Sequence, residues 1–212
     1  MDSSYKIAII GGTGRVGKHL AKHAIQQGYY VRMLARNPEK LSYKNEKMDI
    51  VKGQIQDINT IRELFKDCNI VINTFGQPAK DDPIYSKVTT TILDVMQDLN
   101  INRYIGVSGG SLTIDGDKKS LLNRVGAKLF EVLFPKMMED KKLEWKILSN
   151  NKNIKWTLFR LPFVKDSLTS KSIKVGQTDM PGIKITNQDI ATFIIKHLDD
   201  PQFIHKSPFI SH

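Results

Sequence analysis

A doubly wound, mostly parallel α/β sheet with helices on both faces is the fold class this 212-residue chain predicts, and three features predict it. Short apolar segments alternate with amphipathic ones along the whole length, the pattern of repeated strand and helix units. The first such unit has the size and order of a strand, a crossover helix and a parallel strand: Ile7–Ile10, a glycine-rich turn, the amphipathic run Val16–Ile25 and the apolar run Tyr30–Ala35. Asn69–Thr74 is apolar almost throughout, as a strand covered on both faces must be.

The turn of that first unit reads Gly11-Gly12-Thr13-Gly14-Arg15-Val16-Gly17 and satisfies G-x-G-x-x-G through Gly12, Gly14 and Gly17. Between a strand and a helix, such glycines let the backbone turn sharply and approach a diphosphate. Its charge then meets the free N–H groups and positive dipole end of the helix. Gly17 is expected to let helix and strand pack closely. Residues 11–17 are therefore the expected contacts of a dinucleotide.

After Tyr30–Ala35, the stretch Asn37-Pro38-Glu39-Lys40 predicts a turn, and Met48–Val51 a short third strand. Asp57 reads as the N-cap of a helix whose buried face is Ile58, Ile61, Leu64 and Phe65, ending near Asp67. The strand at Asn69–Thr74 opens into the loop Phe75-Gly76-Gln77-Pro78. A long helix is expected from Ile84 to Leu99, then the strand Arg103–Ser108 and the small-residue loop Gly109-Gly110-Ser111. Two helical patterns follow, separated at Pro135; the first, with Leu121, Leu122, Val125, Leu129, Val132 and Leu133, reads as core packing, with a lid or partner surface as the alternative. Lys155–Arg160 is a further strand, a last helix runs from Asn187 to Leu198, and Pro208-Phe209-Ile210 suggests an edge strand. Right-handed crossovers bring residues 12–15, Arg36, residues 74–77 and residues 108–111 to the carboxyl ends of the strands, where such sheets bind ligands.

The end of the second strand distinguishes cofactors. A carboxylate there would accept hydrogen bonds from ribose hydroxyls, whereas Ala35-Arg36-Asn37 offers a permanently charged planar fork suited to a 2′-phosphate. The expected cofactor is NADPH, with NADH as the alternative. Arg15 is a second cation at the helix start, where the dipole disfavours it unless a phosphate is near.

Composition narrows the remaining classes. With 40% apolar residues and no run long enough to span a bilayer, the chain reads as one domain and neither a membrane protein nor one with a separate substrate domain, its carboxyl-terminal part completing the substrate cleft. The formal charge of +10 raises the question of nucleic acid, but lysines are interleaved with acids, as in Glu139-Asp140-Lys141-Lys142-Leu143-Glu144. The charge therefore fits an anionic cofactor and substrate. The lone cysteine, Cys68, reads as an ordinary small side chain rather than a nucleophile, and it fits a reducing cytoplasm, as does an N-terminus without signal or transit features. His19 and His23 have helical spacing but no acidic partner, so no metal is expected. A monomer or a homodimer is expected.

The ordered set Tyr5–Gly17, Val31–Leu41, Ser108, Trp156–Pro162 and Ile185–Phe193 resembles the atypical short-chain dehydrogenase/reductase superfamily over nearly the full chain. Within it, residues 6–14, Leu34-Ala35-Arg36-Asn37, Glu139-Asp140-Lys141-Lys142 and residues 186–191 resemble NAD(P)H-binding proteins related to biliverdin-IX-beta/flavin reductase, with further similarity to the NmrA-like branch. The resemblance implies a Rossmann-type fold and places Ser108 beside the nicotinamide. Thr74, Phe75, Gly76, Gly109 and Pro162 are further expected cofactor contacts, and Gln77, Gly110, Ser111 and Phe163 are expected on the acceptor side.

Two departures matter. The superfamily's usual acid is a tyrosine of Y-x-x-x-K after the strand ending in serine, yet every tyrosine here precedes Ser108; counting back from Trp156 puts Met138 at the tyrosine position and Lys142 at the lysine position. The histidines of the flavin reductase group correspond to Lys141 and Phe163. Hydride transfer to a planar conjugated acceptor such as a flavin or quinone, with solvent supplying the proton, remains the expected chemistry. Lys141 or Lys142 would give an electropositive rim, and Phe163 either an apolar platform or a core side chain. A non-catalytic NADP(H) sensor of NmrA-like type is the alternative, and a nucleotide-sugar epimerase fits less well without the tyrosine.

Overall fold

The computed structural model describes residues 5–41, 43–78, 80–167 and 171–212. Lys6–Ile10 (β1) passes through the glycine turn into Gly17–Gln26 (α1) and Tyr30–Ala35 (β2). Met48–Lys52 (β3), Ile58–Phe65 (α2), Ile70–Asn73 (β4), Tyr85–Asp98 (α3) and Arg103–Gly109 (β5) continue the alternation. Then come Leu121–Leu133 (α4), Pro135–Asn150 (α5), Lys155–Leu161 (β6), Phe163–Lys165 (β7), Lys174–Gly176 (β8), Lys184–Thr186 (β9), Asn187–Lys196 (α6) and Phe209–Ser211 (β10). Among the described residues the main sheet runs β3-β2-β1-β4-β5-β6-β10-β8, with every pair parallel except β10 and β8; β7 and β9 pair separately.

The chain winds outward from β1 in both directions, through β2 and β3 on one side and β4, β5 and β6 on the other. Such a reversal leaves a crevice at the carboxyl ends of the two central strands, because their outgoing connections pass to opposite faces. Side-chain alternation along β1 feeds two cores. Ile7 and Ile9 pack with Leu20 and Ala24 of α1 and Ile190 and Ile194 of α6; Ala8 and Ile10 pack with Ile61 and Leu64 of α2, Ile92 of α3 and Leu148 of α5.

The helix ends follow local chemistry. The Asp57 carboxylate accepts from Asn59 N at 3.0 Å, as expected of an N-cap, and the Thr186 hydroxyl caps α6 by accepting from Asp189 N at 3.1 Å. No helix among the described residues is long and apolar enough to cross a membrane.

Two expectations are corrected here. Phe209–Ser211 is interior to the sheet, paired on one side with β6 and on the other with β8, because the segment 174–176 folds back to cover what would have been the edge. The apolar stripe of α4 is not core: Leu121, Leu122, Val125, Leu129, Val132 and Leu133 all face solvent, and Ala127 is the helix's buried side chain. Periodicity reports that a helix has two unlike faces, but not which one meets the protein.

Candidate nucleotide site

The glycine turn takes its shape from Gly11, whose φ of +75° is left-handed and whose added Cβ would lie 2.6 Å from the Thr74 carbonyl oxygen. Gly14 N donates to Gly11 O at 2.8 Å. A Cβ at Gly17 would sit 2.2 Å from Gly11 O and 2.6 Å from Gly12 Cα, so helix and turn touch backbone to backbone. At Gly12 the obstacle is the flexible Met33 side chain. Gly11 thus joins Gly12, Gly14 and Gly17 as a position where the turn has no room for a side chain.

Beyond this turn lies a cavity of about 760 Å³, lined by Gly11, Thr13, Gly14, Arg15 and Val16 from the turn, Leu34 and Arg36 from the end of β2, and Thr74, Phe75, Gly76 and Gln77 from the loop after β4. Gln54, Ile55 and Gln56, from the connection between β3 and α2, complete one end. Asn187 lines the same cavity; its amide nitrogen donates to Asp166, and its buried Oδ1 has no partner among the described residues.

A second cavity of about 340 Å³ shares Thr74, Phe75, Gly76, Val107 and Val164 with the first and so continues it. Ser108, Gly109, Ser111, Lys141 and Pro162 line it, together with Tyr85, Phe130, Met137, Met138 and Leu161. Ser108 is 6% exposed, and its Oγ has no hydrogen-bond partner among the described residues. A buried hydroxyl without a partner is costly, and here it borders an open cavity.

Lys141 and Lys142 part company. The Lys141 ammonium pairs with Glu144 at 2.9 Å and lies 3.5 Å from the centroid of the Tyr85 ring, with both charged side chains largely buried. Lys142 pairs with Glu131 and borders a different cavity, of about 490 Å³, between α4 and α5. The electropositive rim is therefore corrected: Lys141 is paired with Glu144 inside the wall of the Ser108 cavity, and Lys142, paired with Glu131, lines the adjoining one. Met138 does line the Ser108 cavity, its sulfur 3.7 Å from Ser111 Oγ. Lys141, three residues on, shares that cavity with Met138, and Lys142, four residues on, shares the cavity between α4 and α5, which Met138 also lines.

The remaining expected residues fall outside both cavities. Gly12 and Gly17 stand behind the turn, and Asn37 precedes the short 3₁₀ turn Pro38–Lys40. Gly110 supports the wall instead, with its N–H donating to Leu161 O at 2.7 Å. Phe163 is 80% exposed, so the core reading is overturned, and the cavity wall is formed by its neighbour Val164.

Tyr85, Asn187 and residues 54–56 were not anticipated from the sequence. For residues 54–56 a signal existed, since the loop after β3 obeys the same carboxyl-end rule as the others. Burial pushes the Tyr85 phenol above its ordinary range, and its oxygen accepts from Gln77 N at 3.3 Å. Cys68 is buried and its thiol is pushed up to about 12 by burial, which fits the small packed side chain expected and not a nucleophile.

Comparison with known proteins follows the same outline. Residues 11–201 match the family model described as NAD(P)H-binding. Phenylcoumaran benzylic ether reductase IRL1 of Ginkgo biloba is 26% identical over 218 residues, covering 97% of this chain and 68% of its own. A short-chain dehydrogenase/reductase from Veillonella parvula, solved in complex with NADP, superposes with a TM-score of 0.78 at 15% identity, covering 98% of this chain and 94% of that one. A proposed NADH-flavin reductase from Streptococcus pneumoniae superposes with a TM-score of 0.77 at 20% identity, covering 98% and 99%. At these identities the two structures speak for the fold.

Proposed function

Since the chain belongs to the NAD(P)H-binding family, we propose that it is an NADPH-dependent oxidoreductase delivering hydride to a small conjugated acceptor such as a flavin or quinone. The observation that carries the reading is the pairing, along two continuous cavities, of Arg15 and Arg36 at one end with the unpartnered Ser108 hydroxyl at the other. A dinucleotide phosphate has charge at one end and a planar amide at the other.

The residues present fit such a group. Amides at the start of α1 would hold the diphosphate, and Arg36 with Arg15 the additional phosphate. Leu34 and Ile55 with the amides of Gln54 and Gln56 suit a flat nitrogen-containing ring. Asn187 Oδ1 offers a buried acceptor to a hydroxyl. A reduced nicotinamide, when bound, supplies the hydride.

Ser108 Oγ orients the carboxamide or the acceptor, and Met138, Leu161, Pro162 and Phe130 exclude water around the transfer. Tyr85 forms the acceptor wall with its proton retained, and solvent protonates the product. The carboxyl-terminal part completes the cleft through Pro162, Val164 and Asn187. A thioether at Met138, where the wider group carries its acid, favours a second reading as an NADP(H)-binding sensor without turnover.

Purified protein saturated with NADPH and challenged with flavins and quinones separates the two readings. Oxidation of the cofactor supports the reductase, and tight binding with no turnover across the panel supports the sensor. Calorimetry showing no heat with NADPH or NADH would overturn both. Arg36→Ala should abolish the preference for NADPH over NADH, and an unchanged preference would refute the phosphate assignment.

A further inference from the structure

Helix α4 carries Leu121, Leu122, Val125, Leu129, Val132 and Leu133 between 58% and 75% exposed. At 100° per residue these six side chains occupy roughly 120° of arc, one uninterrupted stripe along the helix. Together they leave roughly 600 Å² or more of apolar surface open, at or above the largest patch usual on a monomer, about 300–600 Å². With flanking residues added, the stripe approaches the roughly 800 Å² per partner of a stable interface.

Gly126 is a second, independent observation. It lies mid-helix beside the stripe, and a Cβ added there would meet nothing within 4 Å. Glycine is the poorest residue for a helix interior short of proline, and no contact within the chain accounts for it. Close approach of another helix would.

We infer that the α4 stripe is the interface of a homodimer, in which two α4 helices pack across a two-fold axis near Gly126. The occupant is a second copy because an uncharged apolar stripe can be laid on its own image across a two-fold axis. Its stripe holds no charged residue, so apposed copies bring no like charges face to face. Arg124, Lys128 and Glu131 lie on the opposite face, with Lys128 paired to Glu131, so that face is mixed in sign rather than uniformly basic as on a helix lying in an anionic membrane surface. The inference stands apart from the proposed reductase activity.

Sedimentation velocity on the full chain, with and without NADPH, tests it. A dimer is expected, and Leu122→Glu with Leu129→Glu should give a monomer with unchanged circular dichroism, since neither position is buried. Val125→Cys should link two chains under mild oxidation or with a short bismaleimide; Cys68, buried and with its thiol pushed up to about 12, stays silent. The inference is overturned by a monomer at the highest soluble concentration, by a dimer that survives the double substitution, or by a monomer that co-sediments with vesicles of anionic phospholipid.

Discussion

Ser108 and Gly11 show how one atom separates a packing role from a functional one. Ser108 Oγ has no partner among the described residues, so Ser108→Ala should leave the melting temperature unchanged or slightly raised while turnover falls by about tenfold or more. A stability loss without a turnover loss would return the hydroxyl to packing. Gly11→Ala should do the reverse of a neutral change: the left-handed strain costs about 1–2 kcal/mol, and the clash with the Thr74 carbonyl adds to it. Gly28→Ala, at φ +93° but with open space around the added carbon, carries the strain alone and serves as its control in thermal melts. Tyr85→Phe should change turnover by no more than about threefold if solvent is the proton source. A hundredfold loss confined to turnover would make the phenol the acid.

At the scale of elements, the loop between β5 and α4 is held by a buried cation. Lys119 Nζ donates to the carbonyl oxygens of Gly110 at 3.0 Å and Leu112 at 3.0 Å and to the Thr113 hydroxyl at 3.0 Å, shaping the strip that ends in the cavity wall at Ser111. Burial lowers its pKa from 10.5 to about 8. Above about pH 8 the unfolded chain holds this proton and the folded chain does not, so the contribution of Lys119 makes stability rise with pH. Cys68 acts oppositely, but only above its ordinary 9.0, where the unfolded thiol ionises first. Denaturant melts between pH 8 and 9 should therefore show an upward slope that Lys119→Met removes.

For the whole molecule, Arg160 of β6 ties the loop between β5 and α4 to the carboxyl-terminal strand. It is fully buried, pairs with both oxygens of Asp117 at 2.6 and 2.8 Å, donates to Ser207 O at 2.8 Å and lies 3.6 Å from the Phe209 ring centroid. Arg160→Met strands a buried carboxylate and should cost about 3–5 kcal/mol, read as a lowered denaturant midpoint. Asp117→Asn with Arg160→Met should recover part of that loss, because the charge is removed with its partner.

The order of strands and helices was legible because each element buries a face with its own period, and in β1 even the division between two cores follows from alternate residues. The convergence of the glycine turn, Arg36 and residues 74–77 on one cavity was legible for a related reason, since all lie at ends of strands that the winding rule brings together. What no local pattern carried was the burial of Lys141 against Glu144 and Tyr85, the arrival of Tyr85 and Asn187, and the outward face of α4. Each depends on how two elements distant in sequence are rotated against one another. By itself, then, the amino-acid order determined a parallel sheet with a glycine turn at its central strand, since those rest on periodicity and backbone freedom within a few residues; which side chains meet around Ser108 was decided by tertiary packing, which alone sets the rotation of α3, α5 and α6 about the sheet.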